Sequence, residues 1–396
     1  MRALAVSADG ATAVSGSFDT SAVRWSLKRN AALQVLRFHD AAVNAVALLP
    51  DGRIVTGGAD GHIAIWRPGA QKPMRRLDGH TAPIVGLAVS PDGRTLASAS
   101  WDRSVRLWPV SGVKPRVLQG HRDNVNGVAF LPGGKALVSA GYDLTLRIWP
   151  LGGGAPNVVT LPTPLNAVAV APDGEIVAGG ADGRVFFLSA SGDKRAEVAT
   201  GPTPIIDIAI SGDGTLVAAA GIRGSVAIVD RKSRTLSRTL VGPGMPVWSA
   251  AFFPDNRTLL TGGTDRMIRR WDAVSGEHIG QVAMGGPTDP LAAYAGDPGA
   301  QVFRACVACH TLSPDVGNRA GPTLHGIFGR RIATLPGYNF SPALKKLGIV
   351  WTPETVSKLF EVGPATYTPG TKMPEQKIGS AADRAALVRF LAKATK

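Results

Sequence analysis

Cysteine is almost absent from this chain, with two residues in 396. No second cysteine pair exists, which leaves any structural zinc site two ligands short. Long apolar runs are missing too. No stretch approaches the roughly 20 residues that a membrane-crossing helix needs, so the chain does not read as transmembrane. Nor is there a run of basic residues, a cluster of stacking aromatics or a nucleic-acid fold motif. A net charge of +14 and a pI near 10.2 therefore do not read as nucleic-acid binding. No charged-then-apolar secretion segment opens the chain, because Met1-Arg2-Ala3-Leu4-Ala5-Val6 already reads as a strand.

What the chain does have is a repeat. Residues 1 to about 285 recur every 39 to 42 residues, and each unit carries an Asp followed six places later by Trp. The tags are Asp19/Trp25, Asp60/Trp66, Asp102/Trp108, Asp143/Trp149 and Asp265/Trp271. Two degenerate copies, Asp182/Leu188 and Arg223/Val229, complete seven units. Short period-two apolar runs such as Ile63-Ala64-Ile65-Trp66 predict four strands per unit. Turns such as Pro50-Asp51-Gly52, Pro91-Asp92-Gly93 and Pro172-Asp173-Gly174 join the first strand to the second.

This pattern resembles the WD-repeat β-propeller family, which implies an all-β, seven-bladed propeller over residues 1–284. In that family His, Asp, Ser or Thr and the indole of Trp form a structural hydrogen-bond relay. The matching sets are His39/Thr56/Asp60/Trp66, His80/Ser98/Asp102/Trp108 and His121/Ser139/Asp143/Trp149. A His–Asp–Ser trio also suggests a hydrolase. Its recurrence three times at the repeat spacing argues for blade stiffening instead. The fifth and sixth units lack the relay and are expected to be the softer sector. No catalytic residue is assigned in the propeller, and His62 and His278 are the only histidines left over there.

Both cysteines fall in Cys306-Val307-Ala308-Cys309-His310. C-x-x-C-H is the spacing of c-type heme attachment: two thiols three residues apart can reach the vinyl groups of one porphyrin, and the next residue lies under the ring. Spacing alone leaves a redox C-x-x-C as the competing reading. Downstream come Gly321-Pro322-Thr323-Leu324-His325-Gly326, Pro336-Gly337-Tyr338, Ile349-Val350-Trp351 and Pro369-Gly370-Thr371-Lys372-Met373.

This ordered set resembles class I cytochrome c of the mitochondrial type and covers residues 297–396. The resemblance implies an all-α domain holding one covalent heme c. By resemblance Cys306 and Cys309 form the thioethers, and His310 and Met373 are the two iron ligands. Pro322 offers its carbonyl to the proximal ring, Arg330 and Trp351 attend a propionate, and Thr371 sits beside the Met ligand. His325 is expected to be a buried hydrogen-bonding residue rather than a ligand. Phe340 and Phe360 stand where the family usually has tyrosines, and Ala365-Thr366 replace a lysine pair of the docking face. A mitochondrial-type partner does not follow.

Residues 285–296, rich in Gly and Pro, read as a short, semi-stiff linker. The last hundred residues carry 13 basic and 6 acidic side chains, half of the net charge in a quarter of the length. Arg330, Arg331, Lys345, Lys346, Lys358 and Lys372 lie nearest the heme motifs, and an acidic redox partner steered by that field is expected. Heme c attachment in bacteria takes place outside the cytoplasmic membrane. A periplasmic location is therefore expected, with a signal peptide upstream of Met1. The function implied is one-electron transfer, with the propeller as a partner-docking platform. The alternative is a redox enzyme, or the subunit through which electrons enter an oxidoreductase.

Overall fold

The computed structural model describes residues 1–112, 114–241, 245–265, 267–280, 291–313, 321–336, 338, 340–371, 373–374 and 376–396. It separates into two units, Met1–Met284 and Gly285–Lys396.

The first unit holds seven four-stranded antiparallel sheets. In each of them the strand order follows the chain order. The first strands are Ala3–Val6, Val43–Leu48, Ile84–Val89, Val125–Phe130, Leu165–Val170, Ile205–Ile210 and Val247–Phe252. They contact one another in turn, and the last returns to the first. The result is a seven-bladed propeller around an axis lined by these inner strands. The Pro-Asp-Gly turns work as their residues suggest. Gly52, Gly93 and Gly174 adopt positive φ, and the aspartate carboxylate accepts the amide two residues on, as Asp51 does from Arg53 at 3.1 Å.

The core is a set of seams rather than one centre. Leu96 and Trp108 of blade three pack on Val55 and Ile65 of blade two. Phe186 and Leu188 of blade five pack on Val138 and Ile148 of blade four. The seam between blades seven and one is the thinnest, with Ala13, Leu27 and Leu260 buried at its centre.

The three relays form as the repeat positions imply. In blade three His80 Nδ1 meets Asp102 at 2.7 Å and Nε2 meets Ser98 Oγ at 2.7 Å, while Trp108 Nε1 donates to Ser98 Oγ at 2.8 Å. Blades two and four repeat this through His39 and His121. Burial pushes His80 and His121 below the usual imidazole range, more than their aspartates raise them. The neutral ring thus directs Nδ1–H at the carboxylate and accepts the hydroxyl proton at Nε2. Burial would raise Asp60, Asp102 and Asp143. Hydrogen bonds from the histidines and nearby amides outweigh it, and all three lie below the usual carboxylate range.

Blades five and six have another device. Glu175, its side chain 1% exposed, receives Arg234 at 2.6 and 2.8 Å, Arg231 at 3.0 Å and Arg195 at 3.5 Å. Arg231 also holds Asp173 at 2.7 Å, and Arg234 stacks 4.3 Å over Phe187. These two blades, which lack a relay, are therefore stitched together by a buried carboxylate from one and two guanidiniums from the other.

Two further rings of ties escaped the sequence reading. On the inner strands Asn44, Asn126 and Asn166 donate to Ile84, Leu165 and Ile205 of the following blade, and Asp207 accepts Ala250 N–H. On the outer strands Gln34, Arg75, Arg116, Asn157 and Arg238 each reach a carbonyl of the next blade.

In the second unit, prolines open short helices behind capping side chains. Asp297 caps Pro298–Phe303, Ser341 caps Pro342–Lys345 and Thr352 caps Pro353–Val362. Gly363 ends the third at φ 98°. The last helix, Ala381–Ala394, buries Leu387, Phe390 and Leu391. The linker expectation needs a correction. Residues 285–290 lie outside the described residues, but Ala292–Tyr294 form a helical turn. Tyr294 packs edge-on to Phe390 at 5.1 Å beneath the Lys393 ammonium. Aromatic packing makes that half of the stretch part of the helical unit.

Candidate functional site

The chemistry-bearing residues gather in the second unit. Asp297 accepts the amides of Gly299 and Ala300, which starts the first helix and carries the chain into a tight turn at Cys306–Ala308. Cys309 N–H and His310 N–H both bond back to Cys306 O, at 3.1 and 2.9 Å. One turn therefore carries both thiols and the imidazole. No disulfide joins the two thiols. Cys306 is buried, and burial with the nearby Cys309 pushes its thiol up to about 12. A redox pair needs an accessible thiolate, so this environment disfavours that reading and suits a sulfur held in a covalent bond.

His310 Nδ1–H donates to Pro322 O at 2.8 Å, which fixes the ring and makes Nε2 the nitrogen that could hold a metal. Gly321 makes this approach possible: a Cβ there would collide with the imidazole ring. Its own amide donates to Cys309 O at 2.8 Å, which ties the loop to the attachment turn.

Arg330 and Trp351 are brought side by side by a short antiparallel bridge. Arg331 pairs with Val350, Trp351 N–H donates to Arg330 O at 3.0 Å, and Gly329 N–H donates to Trp351 O at 2.8 Å. The Arg330 guanidinium is half-buried and donates to Thr323 O and His325 O. Burial lowers its proton affinity. Among the described residues it has no carboxylate partner, and the Trp351 indole N–H has no acceptor. A half-buried cation without an anion, beside an unused N–H donor, fits a carboxylate brought in by a bound group. The two thiols, the oriented imidazole and this anion-seeking pair together fit a propionate-bearing, covalently attached heme.

Further along the chain, Thr371 Oγ1 accepts Met373 N–H at 3.1 Å, and Met373 is half-buried. Gly370 turns the chain at φ 81°, with its carbonyl held by Ser341 Oγ at 2.9 Å. Gln376 Oε1 lies 3.9 Å from Cys306 Sγ, so the Met373 segment folds back beside the attachment turn. Lys372 lies outside the described residues.

His325 departs from expectation. It is half-buried, its amide and carbonyl are bonded, and its ring has no hydrogen-bond partner among the described residues. The nearby loop satisfies backbone groups instead. Gln376 and Tyr338 were missed as site residues in the sequence. Burial and Cys309 push the Tyr338 phenol up to about 12, and its ring packs against Phe340 at 4.7 Å. Tyr338 carried a signal, since it belongs to the Pro-Gly-Tyr motif; Gln376 carried none. Among the basic residues, Arg331, Lys345 and Lys346 are exposed, and Lys358 is paired with Glu361 at 2.8 Å.

Comparison with known proteins agrees with both halves. A family model described as WD domain, G-beta repeat matches residues 30–67, 71–109, 112–150 and 234–272; residues 1–29 and the two blades that lack full tags fall outside these matches. One described as cytochrome c matches residues 296–395. A cytochrome c of Gibberella zeae is 40% identical over 99 residues, 25% of this chain and 92% of the relative. One from Arabidopsis thaliana is 41% identical over 99 residues, 25% of this chain and 88% of the relative. A cytochrome c2 of Blastochloris viridis is 43% identical over 84 residues, 21% of this chain and 65% of the relative.

Proposed function

We propose, on the premise that the chain belongs to the cytochrome c family through its last hundred residues, that it is a one-electron carrier whose propeller docks the redox partner. When bound, heme c supplies a reversible one-electron couple at its iron. Cys306 and Cys309 hold it covalently. His310, steered by Pro322 O, would ligate through Nε2, and Met373 would be the second protein ligand. With both in place the iron would take no substrate, which favours a carrier over an enzyme. Arg330 and Trp351 neutralise and anchor a propionate. The basic surface of the domain attracts an acidic partner, and its effect weakens with salt. The compartment we propose is the periplasm, where bacterial c-heme attachment occurs.

The observation that carries this reading is the single turn holding Cys306, Cys309 and a His310 ring already oriented by a backbone carbonyl. The test is the optical spectrum of the full chain exported with heme-maturation machinery. One heme per chain and a weak ferric sulfur-to-iron band, lost in Met373→Ala, are expected. High-spin iron in the parent protein, or more than one heme per chain, would overturn it.

A further inference from the structure

The turns that carry the tag aspartates share one backbone conformation. The residue that ends the tag dipeptide is left-handed in blades one to six. Gly61, Gly183 and Gly224 adopt φ 82°, 82° and 87°, but Thr20, Arg103 and Leu144 hold 72°, 70° and 66° without being glycine. Glycine takes this conformation freely and other residues do not. Arg103 and Leu144 are also exposed, Leu144 at 38%. The Arg103 guanidinium makes no hydrogen bond or ion pair among the described residues. The left-handed turn recurs in six blades and so belongs to the fold; what differs between blades is the side chain it carries.

Their neighbours share one chemistry. The residue before each aspartate is Trp101 in blade three and Tyr142 in blade four, both half-buried. In blades two and five the same place holds Ala59 and Ala181. Trp101 Nε1 donates to Asn126 Oδ1 at 2.9 Å, which sets its ring toward blade four. Exposed Arg122 flanks the Tyr142–Leu144 turn, its amide donating to Asp143 Oδ2 at 2.9 Å. Asp102 and Asp143 are turned inward onto their histidines and do not offset these arginines. Asp123 is the exposed carboxylate of the Arg122 loop. Neighbouring turns of blades three and four thus carry Trp101, Tyr142 and Leu144 together with exposed Arg103 and Arg122, and Trp, Tyr and Arg are the residues enriched at binding hot spots.

We infer that this face of blades three and four docks an acidic segment of the partner protein that also carries an aliphatic side chain. The inference rests on the docking-platform reading. Arg103 and Arg122 select the acidic residues, and Trp101, Tyr142 and Leu144 receive the apolar one.

The test uses the heme-loaded full chain and fluorescence anisotropy with two labelled peptides, one alternating glutamate with leucine and one alternating lysine with leucine. The parent should bind the glutamate peptide, less tightly at high salt, and not the lysine peptide. Arg103→Gly and Leu144→Gly should each weaken binding about tenfold or more while melting no lower than the parent, because glycine relieves the turn. The inference is overturned if both glycine variants keep full affinity, if the lysine peptide binds equally well, or if the glutamate peptide does not bind. Loss of strain as a premise would show as glycine variants that melt clearly lower. The heme spectrum is read in every sample, so a failed carrier reading shows there and not in the anisotropy.

Discussion

Replacing Glu175 by glutamine removes one charge and leaves the shape. In the structure that carboxylate takes four contacts from Arg195, Arg231 and Arg234, and its side chain is 1% exposed. Breaking a fully buried ion pair from one side costs about 3–5 kcal/mol. Here the cost is reduced, because Arg195 is 56% exposed and can rehydrate, while Arg231 keeps Asp173. About 2–3 kcal/mol remains. At roughly 2–4 °C per kcal/mol for a domain near this size, the propeller transition should fall by about 5–10 °C. Calorimetry reads the shift, and amide exchange locates it. Blades five and six should already exchange faster than blades two to four, since they lack the relay, and Glu175→Gln should widen that difference. A Glu175→Gln protein that melts within about 1 °C of the parent would refute the claim that the arginine clasp replaces the relay.

Three other outcomes are expected. Burial raises Asp207 from 3.8 to about 6 against hydrogen bonds from Ala250 and Ile208 and the charge of Arg2. Its ionisation therefore costs stability, with the cost absent below pH 4 and complete above pH 6. The full shift is worth about 3 kcal/mol, and because the residue is only half-buried beside the axis, about 1–2 kcal/mol is expected. Asp207→Asn should accordingly stabilise the protein at pH 8 and not at pH 4.5, and melting curves that shift equally at both pH values would contradict this. Ser139→Ala orphans Trp149 Nε1 and His121 Nε2 in one step and should cost about 2–3 kcal/mol in urea unfolding. Gly321→Ala drives a methyl into the His310 ring, so the purified chain should carry well under half the parent's heme as measured by pyridine hemochrome, at unchanged propeller melting.

Much of this architecture could be read from residues because it is repeated or covalently constrained. The Asp-to-Trp tags set the blade count, since a buried indole and the hydroxyl it donates to must recur at fixed places on paired strands. The attachment motif was legible because two thiols and an imidazole must share one turn. The Glu175 clasp was not legible: Arg231 and Arg234 lie 56 and 59 residues away on the next blade, and only the propeller's curvature brings them to it. The rings of Asn, Gln and Arg that reach the next blade did recur at the repeat spacing, but polar residues at strand ends ordinarily face water. Arg330 was assigned by likeness alone. What the structure adds is that it has no carboxylate partner among the described residues.

Because every sheet keeps its strands in chain order, each pairing in the propeller is a hairpin between neighbours in sequence. Folding can therefore proceed blade by blade through short loops, without a search for distant partners. One step differs. The first inner strand must meet the last blade, where Met1 N–H donates to Gly263 O across 262 residues. Closing a flexible loop of that length costs about 5 kcal/mol in chain entropy. That join is made at the seam with the smallest buried cluster, Ala13, Leu27 and Leu260, assisted by Arg270 on Leu27 O and Asn30. Closure of the ring is thus the late, slow event and the same seam is the first to open. A circularly permuted chain, cut between two other blades and joined here, would keep every strand pairing and move the entropic cost to a seam with a larger core.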